Sequence, residues 1–230
     1  MKSFIEPSIG CRKKNLEKYL SFHKKPKNEV SFGILSSDYL RFYYKCKKCG
    51  HLLAKHKRNL IHNLYEKKYF ISTYKSITKL NATFEKIQNL PKSKSDNFHR
   101  IKRVKKMAKL YLKKKKINLL DVGSGTGIFP IGMIEKKYSI TALEPNKESA
   151  DFISLKSKSK VKVIHGDFIK VKLIKFKRYD FVTFNKVLEH VEKPLLFLKK
   201  SLRLMKKKSL VYIEVPDAIA INDNKEGKNR

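Results

Sequence analysis

The chain has 230 residues, 41% of them hydrophobic, and a formal net charge of +35 with an isoelectric point near 10.1. That hydrophobic content supports a core and excludes a wholly disordered chain. No apolar run approaches the roughly 18 residues that span a bilayer, and residues 1–10 lack the apolar region of a secretory signal, so a cytoplasmic location without a membrane partner is expected. Three cysteines, Cys11, Cys46 and Cys49, are too few for a disulfide framework. The cations are overwhelmingly lysine and run along the whole chain, whereas arginine, the better bidentate phosphate ligand, is scarce. The charge therefore reads as biased composition ahead of a selected nucleic-acid patch.

Three zones follow in chain order. Residues 1–60 hold all the cysteines and three of the seven histidines and form a small leader. Residues 61–96 are a mixed helical and linking segment that ends in the polar breaker 91–96. From 97 to 230 the pattern becomes regular. Residues 98–112 carry apolar side chains at helical spacing with Asp96 as the expected N-cap. Residues 117–122 read as a buried strand that runs into a glycine cluster. A helix is predicted over 128–137, with Pro130 tolerated in its first turn. Strands are then predicted at 139–143, 161–164, 179–184 and 210–215, and helices at 146–157 and 194–205. Strands separated by helices imply a parallel sheet covered on both faces, with the ligand crevice at the carboxyl ends of the strands.

Four motifs sit at those ends. Asp121-Val-Gly123-Ser-Gly125-Thr-Gly127 follows one strand and opens a helix. The glycines make the turn and let a ligand approach the backbone. Their G-x-G-x-G spacing, and an acid two places before the first glycine, do not suit a pyrophosphate. They suit the amino and sulfonium end of S-adenosylmethionine. Glu144 ends the next strand, where it can accept from ribose hydroxyls or cap the following helix. Gly166-Asp167-Phe168 follows the third strand: Asp167 can accept from an adenine amine or simply make a turn, and Phe168 can pack on the ring. Asn185-Lys-Val-Leu-Glu189-His190-Val191 follows the fourth. His190 there is a candidate base, oriented or charge-stabilised by Glu189; the pair can instead bind a metal or cap the helix that begins near Pro194.

Taken together, LLDVGSGTGIF, TALEPN, VIHGDF and YDFVTFNKVLEHVEKPLLFLKKSLRLMKKKSLVYIEVPD resemble the class I S-adenosylmethionine-dependent methyltransferases over about 119–217. The resemblance implies a Rossmann-like doubly wound α/β sheet. It also implies that Asp121, Gly123, Gly125, Gly127 and Glu144 line the methionine and ribose end of the cofactor pocket, with Asp167 and Phe168 at the adenine; Asn185 is a further candidate cofactor-binding residue. Val-Leu-Glu-His-Val is similar to a subgroup that includes small-molecule O-methyltransferases and sugar C-methyltransferases. The leader, with Cys11 and the Cys46-x-x-Cys49-Gly50 knuckle, resembles that subgroup's zinc-binding region.

Departures from the family accompany the match. The first cysteine pair is reduced to Cys11, so a four-ligand Zn2+ site needs a histidine such as His23 or His51. The family's Pro-Gly-Gly turn before the fifth strand is replaced by Lys206-Lys-Lys-Ser209. Only 15 residues follow Val215, too few for the sixth and seventh strands, which predicts a fragment or a trimmed domain with an exposed edge. The expected function is methyl transfer from S-adenosylmethionine to a small-molecule acceptor, such as a nucleotide-linked sugar. The rivals are an RNA or protein methyltransferase and a non-catalytic remnant that binds nucleic acid. The absence of an Asn/Asp-Pro-Pro-aromatic motif at Asn185 weighs against attack by a base or amide nitrogen.

Overall fold

The computed structural model describes residues 15–24, 39–56, 76–191 and 193–216. The chain divides into two compact units, Met1–Leu64 with Pro216–Arg230, and Tyr65–Val215.

In the first unit, strands β1 (Leu16–Phe22), β2 (Arg41–Cys46) and β3 (Leu52–His56) form an antiparallel sheet in the order β1-β2-β3. The β2–β3 turn is the cysteine knuckle. Gly50, at φ +71°, donates to the Cys46 carbonyl at 2.8 Å, and Cys46 N–H donates to the His51 carbonyl at 2.9 Å. Cys46 is buried, whereas Cys49 and His51 are exposed. Cys11 lies outside the described residues. Among the described residues no group of three or more His, Cys, Asp or Glu side chains is placed to hold a metal.

The second unit is the α/β domain. Helices α1 (Ile77–Gln88) and α2 (Asp96–Met107) precede a sheet built from β4 (Ile117–Val122), β5 (Tyr138–Glu144), β6 (Lys162–His165), β7 (Tyr179–Asn185) and β8 (Met205–Glu214). Helices α3 (Ile128–Gly132), α4 (Lys147–Lys156) and α5 (Pro194–Leu204) fill the connections. All the pairings are parallel, in the order β6-β5-β4-β7-β8. The chain leaves β4 in one direction through β5 and β6, then returns to add β7 and β8 on the other side. The topological switch point therefore lies between β4 and β7, where a ligand crevice opens beyond the strand ends.

Alternation along β4 sends Ile117 and Leu119 to one face of the sheet and Leu120 and Val122 to the other. The first face is covered by Val104, Ala108 and Leu112, by Phe129 and Met133, and by Ile153. The second is covered by Phe168, Leu204 and Phe197 with Phe184 and Tyr179. Both faces of the central strands are therefore apolar, as the unbroken hydrophobic runs require. No helix among the described residues is long and apolar enough to cross a membrane.

Several boundaries differ from the sequence expectation. Ser95, not Asp96, caps α2, its Oγ accepting from Phe98 N–H at 3.2 Å; Asp96 occupies the first turn. The helix runs on through a π-helical stretch, Ala108–Leu112, that ends at Lys113 in a left-handed conformation. The helix expected over 128–137 stops at Gly132. A Cβ on Gly132 would stand 2.4 Å from Ile101 Cδ1, so this glycine permits close packing of α3 on α2 and ends the helix early. The Lys206–Ser209 segment forms an irregularity at the start of β8, with Lys208 at φ +53° and Ser209 Oγ donating to the Lys206 carbonyl at 2.6 Å. Residues 217–230 lie outside the described residues.

Candidate functional site

The Gly-rich loop leaves β4 with all three glycines at positive φ: Gly123 at +73°, Gly125 at +56° and Gly127 at +75°. Their surroundings differ. A Cβ on Gly123 would come within 2.7 Å of Val187 Cγ2, and one on Gly127 within 2.6 Å of Ile153 Cγ1. Among the described residues a Cβ on Gly125 would meet nothing within 4 Å. The outer glycines are thus fixed by packing, and the middle one turns bare backbone toward open space at the mouth of the crevice. Such bare backbone lets a ligand approach closely.

Carboxylates surround this loop. Asp121 ends β4 almost fully buried, and its Oδ1 accepts from Thr183 Oγ1 at 2.7 Å and from Asn185 Nδ2 at 2.8 Å. Burial pushes its carboxyl up to about 6 against the pull of those hydrogen bonds. Glu144 ends β5, also buried. Its Oε2 accepts from Gly125 N–H at 2.7 Å and its Oε1 from Asn146 N–H at 3.0 Å. Burial raises it to about 7, with Asp121 adding a like charge. Glu144 does not act as the side-chain cap of α4, because Asn146 Oδ1 holds Ser149 N–H at 2.8 Å in that role. The same carboxylate fastens the glycine loop to β5.

Asn185, one strand-end over from Asp121, turns its amide NH2 to that acid. Among the described residues its buried Oδ1 has no hydrogen-bond partner. A buried acceptor left open beside a carboxylate is a place for a donor such as an ammonium group. The residues therefore fit the amino-acid end of S-adenosylmethionine.

Sequence reasoning missed a second layer. Glu214 ends β8 in register with Asn185. It is held by Arg100 through Nε at 3.0 Å and Nη2 at 2.5 Å, by Arg103 Nη2 at 3.2 Å and by Tyr212 Oη at 2.7 Å. Burial alone would raise Glu214; the hydrogen bonds from Arg100 and Tyr212 and the Arg100 charge hold it down at about 2. Arg100 is itself buried on α2 and close enough for its charge to lower Asp121. Thr183 and Arg100 thus belong to the site. The available signal was a pair of arginines three residues apart on one helix, Arg100 and Arg103, in a chain where lysine far outnumbers arginine.

The remaining expected residues lie further round the crevice. Asp167 is partly buried, and its Oδ1 accepts from Ile169 N–H at 2.7 Å and Lys170 N–H at 3.1 Å, which makes a turn. Phe168 is 2% exposed and packs on Phe197, Phe176 and Phe184 at centroid distances of 5.4, 6.1 and 6.1 Å. Its ring therefore anchors the 166–168 loop from below. Glu189 and His190 lie in a single 3-10 turn past β7, Leu188–His190, with His190 Nε2 3.8 Å from Glu189 Oε1. They do not cap α5, whose N-cap residue is Lys193. Partial burial pushes the His190 imidazolium below its ordinary range and the Glu189 carboxyl above its own.

With that geometry in place, the comparisons decide the family. Residues 93–228 match the family described as a methyltransferase domain, more than half of the chain. The chain belongs to this methyltransferase family. It is a class I member by sheet order and glycine loop. Over 104 residues it is 32% identical to the ubiquinone biosynthesis O-methyltransferase of Pelagibacter ubique (strain HTCC1062), a match covering 43% of this chain and 42% of that protein. The chain thus spans less than half the length of this curated relative. Among solved structures it is similar to the plantazolicin methyltransferase BpumL in complex with SAH. That likeness has a TM-score of 0.53 at 19% identity, over 66% of this chain and 58% of the other. The same enzyme with a triazolic desmethylPZN analog and SAH gives a TM-score of 0.53 at 18% identity over the same shares. At such identities the likeness shows the fold.

Proposed function

We propose that the methyltransferase domain binds S-adenosylmethionine at the carboxyl ends of β4, β5 and β7 and methylates a small polar acceptor on oxygen. The observation that carries the reading is the convergence on one loop of two buried carboxylates with raised pKa, an open carbonyl acceptor on Asn185 and the unobstructed Gly125 backbone. Raised pKa values clustered in a cleft mark functional sites. The name of the Pelagibacter relative supports an oxygen acceptor. The Val-Leu-Glu-His-Val string keeps nucleotide-linked sugars among the acceptor classes.

S-adenosylmethionine supplies, when bound, an electrophilic methyl group on a sulfonium. In this reading Asn185 Oδ1 and Asp121 take the ammonium, Arg100 lends its positive field to the carboxylate, and Glu144 accepts from the ribose hydroxyls. Asp167 flanks the adenine with its second oxygen while Phe168 holds that loop in place. His190, kept neutral by its lowered pKa, would take the acceptor's proton on an imidazole nitrogen as the acceptor oxygen bonds the methyl carbon and the methyl–sulfur bond breaks, leaving S-adenosylhomocysteine. Most of the rate comes from holding the two reactants in line. In the leader, the two thiols of the Cys46–Cys49 knuckle support a Zn2+ site completed by Cys11 and a histidine such as His51.

Calorimetric titration with S-adenosylhomocysteine tests the cofactor reading. The wild type should bind and Asp121→Ala should not. A folded wild-type chain that fails to bind sinks the reading.

A further inference from the structure

A parallel sheet separates two ends of the domain. Every connection leading into β4 to β8 arrives at the amino end, opposite the crevice. The segments there, 113–116, 133–137, 157–161, 175–178 and 203–208, contain fifteen lysines and arginines and one carboxylate, and Asp180 on β7 stands among them. The segment carboxylate, Glu135, is paired with Lys105 at 2.7 Å. The segments at the crevice end, 123–127, 145–147, 166–172 and 186–193, contain five lysines, and Asp121, Glu144, Asp167, Glu189 and Glu214 stand among them. Biased composition would load both ends alike. The charge is instead gathered at one end, which the linear sequence hides because the contributing segments lie tens of residues apart.

The cations are brought together from different connections. Lys114 and Lys206 both bond the buried Asp180 carboxylate, at 2.5 and 3.0 Å, and Lys177 Nζ reaches Ser139 Oγ on β5 at 2.7 Å. Burial, then the charges of Lys162 and Lys206, push Lys177 below its ordinary range. Asp180 is thereby saturated, while Lys115, Lys116 and Lys207 remain exposed.

Apolar side chains are exposed at the same end. Leu155 is 78% exposed in the last turn of α4, Ile174 90% just before the 175–178 segment, and Leu202 65% in the last turn of α5. Ile174 and Leu202 immediately precede a cationic segment, and Leu155 stands two positions before one. We propose that the amino end of the sheet is a docking surface for an anionic lipid bilayer, with the lysines on the headgroups and Leu155, Ile174 and Leu202 entering the interface. Polybasic surfaces and inserted aliphatics are the two contributions that hold a peripheral protein on such a membrane. Nucleic acid fits less well. Bases stack on aromatics and arginine, whereas here exposed Leu110, Leu155, Ile174 and Leu202 outnumber one exposed aromatic, Tyr111, and of the two arginines Arg203 is exposed but Arg178 is occupied by the Arg203 and Met205 carbonyls. The expectation of no membrane partner came from the lack of a spanning segment, which a peripheral contact does not need. This surface stands independently of the methyl-transfer reading.

The test is flotation of the full chain with vesicles of equal phosphatidylglycerol and phosphatidylcholine, against phosphatidylcholine alone, and in parallel binding to mixed-sequence single-stranded RNA. The wild type should float only with the anionic vesicles. Lys115→Glu, Lys116→Glu and Lys207→Glu together should weaken partitioning on the order of a hundredfold. Lys79→Glu, Lys86→Glu and Lys102→Glu, the same charge change on α1 and α2, should weaken it far less. Ile174→Ser with Leu202→Ser should remove the binding that survives high salt. The corresponding Lys→Gln triple gives a smaller loss of the same sign should the charge-reversed chain fail to fold. Equal losses in the two Glu triples would overturn the proposal in favour of net charge alone. Absence of flotation with RNA binding that the amino-end triple weakens would overturn it in favour of a nucleic-acid face.

Discussion

Gly125→Ala and Gly127→Ala should separate binding from folding. Both residues sit in the left-handed region, at φ +56° and +75°, so each substitution carries the same backbone strain of about 1–2 kcal/mol. Their spaces differ. A methyl introduced at position 127 would lie 2.6 Å from Ile153 Cγ1, a fully buried side chain that joins α4 to the sheet. Relieving that clash adds about 1–3 kcal/mol of overpacking, for a total of about 2–5 kcal/mol. A methyl introduced at position 125 meets nothing within 4 Å among the described residues, so the stability loss there should stay near the strain alone. That methyl would instead stand where a cofactor has to approach bare backbone. Affinity for S-adenosylhomocysteine should fall at least ~10-fold, about 1.4 kcal/mol. Urea unfolding at constant m-value reads the first quantity and calorimetry the second. A Gly125→Ala chain that binds S-adenosylhomocysteine as tightly as wild type would refute the placement of the cofactor over this loop.

Cofactor affinity should rise with pH. Asp121 at about 6 and Glu144 at about 7 hold protons longer when folded than in the unfolded chain. The ligand-free protein is therefore stabilised at low pH and loses that contribution as pH rises through 6 to 7. A ligand donating to the ionised carboxylates should bind about tenfold tighter per pH unit for each coupled proton below about pH 6, and a flat affinity from about pH 5 to 8 would remove both residues from the site. Glu214→Gln should cost about 3 kcal/mol, because it leaves buried Arg100 facing a neutral amide. The double replacement Arg100→Met, Glu214→Leu should recover much of that stability by urea unfolding yet leave cofactor affinity impaired; full recovery of both would make the pair purely structural. Burial would raise Asp180, but the Lys114, Asn118 and Lys206 bonds outweigh it and hold its carboxyl below the ordinary value, so its contribution is present above about pH 4 and lost as pH falls further. Asp180→Ala should flatten that acid limb and cost about 1–3 kcal/mol at neutral pH, as read by unfolding at a series of pH values. His190→Gln should lower kcat about 100-fold, leave S-adenosylhomocysteine binding intact and remove the acid limb of the pH–rate profile.

The parts legible in the sequence are those set by local chemistry. Predominantly apolar runs such as 117–122 give buried parallel strands, and G-x-G-x-G after one of them gives a loop whose positive φ values favour glycine. The position of Glu144 and Asp121 at neighbouring strand ends was legible because strand ends in such sheets gather at the crevice. What was hidden depends on long-range packing. The length of α3 is set by Ile101, from another helix, pressing on Gly132. The cap of α2 shifted by one because Ser95 and Asp96 are both good caps, and only the backbone turn chooses between them. Thr183 looks like any strand residue until it is placed beside Asp121. The Arg100–Glu214 pair spans 114 positions, so no local pattern announces it; two arginines on one helix were the trace it left.

The three acids at the ends of β4, β5 and β8 show how the site is poised. Glu214 receives a bidentate arginine and titrates at about 2, so it is saturated and acts as scaffold. Asp121 and Glu144 are buried as deeply or more so, yet receive only hydroxyl, amide and backbone donors, and burial wins. Their charged forms are destabilised by about 3 kcal/mol each relative to water, at about 1.36 kcal/mol per unit. A fold that needed these acids only for stability would do better with apolar side chains or with an arginine of their own, as Glu214 has. Keeping them under-satisfied beside an open amide oxygen and a bare glycine makes sense when a cationic, hydroxyl-bearing ligand completes their bonds. The stabilisation forgone in the free protein is then returned as affinity, which is why the pH dependence of binding and of stability should carry opposite signs across the same window.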